Sequence, residues 1–285
     1  MPLTREGTSF AGTWSRLSAQ RGSLCLGVAP SAAWLRRWDL DDTSESLDRY
    51  GDIILEAAGD GVAGYKVQVP FYLRHGTAGL EALRRFVDGA HERDALVLLD
   101  AKVGDADDTM AAYADLYLGP DSQLGGDAVT TCAFMGTATL HPLLRIAQDS
   151  GTAVFTLVRT SNHGAGEVQG SRTDGGTSTA EAIADALTGW HTEHCGTAGP
   201  GPAAAVVGAR LPESAQLVRR LPHSVLEIPG LGRADRRTEE VLAPVRDAAD
   251  RAMLTVTTGV LRHGPTPTAL RAGIRWWHEE IARHR

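Results

Sequence analysis

The stretch LVLLDAKVGDADDTMAAYADLYL, residues 96–118, decides the architecture, because a strand and the helix that follows it stand there almost end to end. The apolar run Leu96 to Ala101 reads as a buried strand, and an apolar pattern of helical period follows from Asp108 to Leu118. Outward from it the same alternation recurs. Further strands are expected at Leu24 to Ala29, Val62 to Gln68, Asp127 to Thr131, Ala153 to Val158, Ala203 to Gly208, Val225 to Ile228 and Met253 to Thr257. Helices are expected at Ser31 to Trp38, Ser44 to Ala58, Gly76 to Arg93, Leu140 to Ser150, Ser178 to His194, Pro212 to Leu221, Glu239 to Ala249 and Pro267 to Arg283.

Eight strand-then-helix units predict an α/β chain folded as a (β/α)8 TIM barrel, one domain over residues 1–285, with its active site at the C-terminal face of the strands. A doubly wound open sheet is the rival. It would be expected to carry a Gly-rich dinucleotide turn after its first strand, and GAGEVQG, residues 164–170, has the wrong spacing and setting. The Gly-, Ser- and Thr-rich stretch His163 to Thr177 follows the fifth strand, so it reads as a long loop over the active face and a candidate lid.

Composition narrows the partners. A formal net charge of -7 over 285 residues gives neither nucleic acid nor an anionic membrane surface a basic patch to meet. The N-terminal stretch has no signal-like apolar core and no window is long enough to span a bilayer, so a cytoplasmic location is expected. Cys25, Cys132 and Cys195 are odd in number and far apart, which predicts reduced thiols rather than a disulfide framework or zinc ribbon. The ten histidines are scattered, and Asp105, Asp107 and Asp108 read as one catalytic acid plus helix-start carboxylates, so no metal is expected.

Of the 28 basic side chains only two are lysine, Lys66 and Lys102. Arginine stays protonated in proteins, whereas a lysine can give up its proton, so two lysines in a chain that otherwise uses arginine point to chemistry. Asp100 and Lys102 lie two apart at the end of the third strand and should face the same side. Lys66 ends the neighbouring second strand, one interstrand spacing away, and Asp105 follows in the turn. Lys66, Asp100, Lys102 and Asp105 then form a set whose formal charges cancel, which lowers the cost of burying them.

On these residues the chain resembles the orotidine 5'-phosphate decarboxylase family, in particular its longer bacterial subclass. The resemblance runs over nearly the whole chain, through LCLGVAP from Leu24, GYKVQVPFYLRHGTAGLEAL from Gly64, LLDAKVGDADDTMAAYA from Leu98, GDAVTTCAFMG from Gly126, FTLVRTSN from Phe155 and EIPGLG from Glu227. Its most specific element is D-x-K-x-x-D, Asp100 to Asp105. The resemblance implies cofactor-free loss of CO2 from C6 of a pyrimidine nucleotide or nucleoside. In it Lys102 is the proton donor, Asp100 faces the departing group, Lys66 orients, and Asp105 acts across a homodimer interface. It also implies a ribose contact from Thr109 across that interface and a pyrimidine-edge contact from Ser161. Gly230, Gly232, Arg233 and Gly259, in the loops after the seventh and eighth strands, are expected to bind substrate as well. The related keto-gulonate phosphate decarboxylases share D-x-K-x-x-D and use magnesium, but the pyrimidine-type flanks favour the metal-free branch.

Four departures fall on substrate grip. Ala29 precedes Pro30 where the family has Asp, Val103 stands where Arg usually follows the reactive lysine, PGLGRADRR at residues 229–237 lacks the usual Gln, and Thr258 occupies the position of the phosphate-clasping Arg. Arg233, Arg236, Arg237 and Arg262 are the candidates to replace that clamp. The sequence leaves open a decarboxylase acting on orotidine 5'-phosphate, a specialised paralogue acting on another pyrimidine in secondary metabolism, and a non-catalytic homologue.

Overall fold

Eight parallel strands close into a barrel in chain order: β1 (Leu24–Val28), β2 (Gly64–Gln68), β3 (Leu96–Val103), β4 (Ala128–Thr131), β5 (Ala153–Arg159), β6 (Ala203–Val207), β7 (Leu226–Leu231) and β8 (Ala252–Val256). The structure, a computed structural model, describes residues 8–119 and 122–285. The first seven positions of the stretch read for a leader lie outside the described residues. Every expected strand is present, with ends shifted by up to three residues, and each expected helix is found in whole or in part. The expected helix Glu239 to Ala249 is instead a short α-helix, Thr238–Leu242, that continues as 3-10 turns over Ala243–Arg251.

Alternation along each strand separates two apolar layers. Outward residues such as Leu26, Val67, Val97, Leu99, Val129, Val154, Ile228 and Leu254 pack against the helices. Inward residues, among them Cys25, Leu96, Leu98, Ala128, Phe155, Val206 and Met253, fill the lumen.

A helix that the sequence reading did not assign, Phe10–Arg21, closes the N-terminal end. Its Phe10, Trp14 and Leu17 are fully buried and belong to the lumen layer. The Phe10 ring meets Phe155 edge-on at 5.5 Å, and the Phe10 N–H donates to the Gly151 carbonyl at 2.7 Å. Arg21 stitches it to the strand entrances by donating to the Val62, Arg93 and Asp94 carbonyls. With that end plugged, the C-terminal mouth is left for a site.

The stretch His163 to Thr177 is less featureless than its composition suggests. It contains the helix Ala165–Gln169, and Gln169 Oε1 accepts from the Thr160 N–H at 2.8 Å, which ties the loop back to the end of β5.

Candidate active site

The inward positions nearest the mouth of β2, β3 and β7 are not apolar but ionic. Lys66 on β2 pairs in register with Leu98, and Gln68 with Asp100. Lys66 Nζ therefore lies 3.4 Å from Asp100 Oδ2, and it also lies 3.1 Å from Glu227 Oε2 on β7. Lys102 Nζ donates to Asp100 Oδ1 at 2.6 Å. Lys66, Asp100 and Glu227 are buried, while the Lys102 side chain is 45% exposed, which leaves its ammonium accessible from the mouth.

Asp100 and Lys102 do meet, but not through a regular strand. The β3–β4 register jumps from Leu99↔Val129 to Val103↔Thr131, so three residues of β3 oppose Thr130 alone. Lys102 adopts φ +52°, a left-handed backbone that costs a non-glycine residue on the order of 1 kcal/mol. Thr130 repairs the broken ladder: its Oγ1 accepts from the Lys102 N–H at 2.9 Å and donates to Asp100 Oδ1 at 2.8 Å. Gln68 Nε2 donates to Asp100 Oδ2 at 2.8 Å. Both Asp100 oxygens are thus held by donors from β2, β3 and β4.

Burial alone would raise the Asp100 carboxyl, but Lys66 and Lys102, with the Lys102 and Thr130 hydrogen bonds, hold it below the usual carboxylate range. Burial alone would lower the Lys66 ammonium, but Glu227 and Asp100 outweigh it and leave that group raised. Both groups are therefore charged at neutral pH, and the site carries a fixed anion between two cations.

Beside this cluster lies a cavity of about 220 Å³, reached from Lys66 and Gln68 on one side and from the β7 and β8 loops on the other. Ser161, Gly230, Arg233, Arg236 and Thr258 line it. The strand bulges at Gly230, whose φ of +108° suits glycine, and a Cβ there would come within 1.9 Å of Arg236 Nη1. Arg236 is the inward-turned arginine of its loop: its side chain is 8% exposed, and Nη2 donates to Ser161 Oγ at 2.7 Å. Burial, then the neighbouring Arg233, lowers the hold of its guanidinium on its proton. Arg233 is 60% exposed and paired with Asp235.

Other expected positions lie elsewhere. Asp105 joins no ion pair among the described residues. Its Oδ1 accepts from the Ala106 N–H, so within one chain the charge-cancelling fourth member is Glu227, not Asp105. Thr109 is exposed in the first turn of the helix Asp107–Tyr117. Gly232 and Gly259 interlock: a Cβ on Gly232 would meet Gly259 Cα at 2.6 Å, and one on Gly259 would meet Trp277 at 2.7 Å. Neither lines the cavity; Gly232, Arg237 and Arg262 instead border an adjoining depression of about 370 Å³ that shares Arg233 and Arg236 with it. Among the described residues, no three His, Cys, Asp or Glu side chains are grouped to hold a metal ion.

Three residues of the cluster escaped the sequence reading. A carboxylate in the otherwise apolar run VLEI was a visible signal for Glu227. Gln68 stands two residues after Lys66, on the same strand face, and was equally visible. Thr130 carried none, since its role depends on the bulge.

Comparison with known proteins gives one picture. A model of the orotidine 5'-phosphate decarboxylase / HUMPS family matches residues 40–233. An orotidine 5'-phosphate decarboxylase of Streptomyces coelicolor is 38% identical over 274 residues, covering 95% of this chain and 96% of its own length. One from Myxococcus xanthus is 36% identical, covering 93% of this chain and 92% of its own. Among solved structures, a candidate orotidine 5'-phosphate decarboxylase from Streptomyces avermitilis superposes with a TM-score of 0.90 at 35% identity, covering 99% of this chain and 97% of that one.

Proposed function

This chain belongs to the orotidine 5'-phosphate decarboxylase / HUMPS family, and we propose that it works as the carboxy-lyase of that name, taking CO2 from C6 of orotidine 5'-phosphate. The observation that carries the reading is the convergence of the only two lysines in the chain on one buried carboxylate, with Lys102 Nζ 2.6 Å from Asp100. The relatives' shared activity supports orotidine 5'-phosphate over another pyrimidine.

With substrate in the cavity, anionic Asp100 stands against the substrate carboxylate and raises the ground state, an opposition that vanishes as neutral CO2 departs. The C6–carboxyl bond breaks with its electron pair left on C6, and the Lys102 ammonium stabilises that charge as it grows. Lys102 then transfers a proton from Nζ to C6, giving the product with hydrogen in place of the carboxylate; the neutral amine is reprotonated from solvent through its exposed side. Lys66 holds Asp100 in place. Purified protein should consume the orotate absorbance of orotidine 5'-phosphate; the absence of both turnover and calorimetric binding of that nucleotide would overturn the assignment.

Ser161 meets the pyrimidine edge and Arg236, beside Gly230 and Arg233, takes the phosphate end. This supplies the charge that Thr258 lacks. A charged hydrogen bond is worth roughly 1.5–3 kcal/mol, so Arg236→Ala should raise KM by roughly 10- to 150-fold with a smaller effect on kcat. An unchanged KM removes Arg236 from the grip.

Asp105 and Thr109 serve a second copy of the chain. Neither lines the cavity of its own chain, and Phe134 and Met135 of the adjoining β4 loop are 83% and 56% exposed, an apolar pair suited to burial between two copies. Asp105→Asn and Lys102→Arg proteins, each inactive alone, should on mixing and reassortment recover roughly a quarter of wild-type activity, because half the dimers regain one intact site. No recovery, or an active monomer in sedimentation, refutes the shared site.

A further inference from the structure

Glu227 has no part in the steps above, yet it is fully buried in the barrel interior and its carboxylate lies 3.1 Å from Lys66 Nζ. Among the described residues neither of its oxygens has a well-aligned hydrogen-bond donor, and Lys66 is the one cation paired with it. A buried carboxylate with a single partner is costly to keep. Asp100 would already give Lys66 a counter-ion, so Glu227 is not needed simply to pair it.

Its effect shows in how Lys66 is held. Within one chain the Lys66 ammonium lies between two carboxylates, Asp100 on β3 and Glu227 on β7. No other charged group of the chain is paired with it among the described residues. Cys25 on β1 is buried, with its thiol pushed up by burial and by Glu227, so it stays neutral, and Thr255 on β8 and Thr130 on β4 contribute hydroxyls. A lysine side chain is a flexible four-carbon stem, and a single counter-ion leaves its head free to swing. Two carboxylates, on β3 and on β7, fix it.

We propose that Glu227 is a positioning residue, which from the barrel interior pins the Lys66 ammonium against Asp100. This rests on the decarboxylase reading above, and the test separates the two. With only two lysines, protein labelled with 15N-lysine gives two side-chain ammonium signals, and Lys102→Arg leaves the Lys66 signal alone. In Glu227→Gln, which keeps the volume, the Lys66 titration midpoint should fall by about one pH unit or more. With orotidine 5'-phosphate, kcat should fall about tenfold or more while KM changes less than about threefold. Glu227→Asp, which keeps the charge but draws it back by one methylene, should restore part of kcat. A wild-type kcat or an unmoved Lys66 midpoint in Glu227→Gln overturns the proposal. If that variant does not fold, Glu227→Asp decides: a lowered kcat with wild-type KM supports it, and wild-type kcat overturns it. If the wild-type protein leaves orotidine 5'-phosphate untouched, the decarboxylase reading fails, and the Lys66 titration still tells whether Glu227 holds that ammonium.

Discussion

Lys102→Arg is expected to lower kcat by on the order of a thousandfold or more, with the melting temperature and substrate KM close to wild type. Arginine preserves the charge that faces Asp100, and its planar fork can grip that carboxylate with two parallel bonds, so the fold loses no counter-ion. What it cannot do is release a proton, because a guanidinium stays protonated at any pH the protein survives. The bond-breaking step would keep some electrostatic help while the carbanion goes without its donor. The Lys102 side chain is 45% exposed and therefore has room for the larger head group. Steady-state rates beside thermal melts check this, and activity within about tenfold of wild type sinks the proton-donor role.

Asp100→Asn should cost both rate and stability. Lys102, Thr130 and Gln68 all donate to the two Asp100 oxygens, and Lys66 pairs with one of them. An amide offers one acceptor where there were two, and points its own donors at a donor. Breaking a buried pair typically costs about 3–5 kcal/mol, and because Lys66 keeps Glu227 the loss should lie near the lower end. With the opposing anion gone, kcat should fall at least roughly a hundredfold. A variant as stable and as fast as wild type would refute the role.

The pH dependence has a definite sign. The folded Asp100 carboxyl lies below its ordinary value of 3.8, so its stabilisation is complete above that value and is lost as pH falls through the folded one. Lys66 is raised above 10.5, so its stabilisation is complete below that pH and is lost only on strongly alkaline titration. Acid denaturation should therefore narrow the gap between Asp100→Asn and wild type, while melts between neutrality and pH 10 should leave it unchanged.

The barrel was legible because strand-then-helix periodicity survives in any run long enough to count, and LVLLDAKVGD shows why its chemistry was legible too: a carboxylate and an amine interrupt an apolar strand at its end. The reading stopped short where a side chain's surroundings depend on distant chain. Within one chain Asp105, close to Lys102 in sequence, joins no ion pair among the described residues, whereas Glu227, more than 100 positions away, pairs with Lys66. The bulge at Lys102 has no signature in the residues themselves. Phe10, Trp14 and Leu17 stand at helical spacing, but among Ser, Thr and Arg, and the partners that bury them lie far along the chain.

That first helix also sets a timetable for biogenesis. Twelve residues are too few to hold a helix in water unaided, and the partners of Phe10 are Phe155 and the Gly151 carbonyl. At roughly 5–20 residues per second, a ribosome takes on the order of 10 s to reach them. Throughout that interval Phe10, Trp14 and Leu17 ride unsheltered on the nascent chain, available to chaperones and to neighbouring copies, and docking waits for chain made long after them.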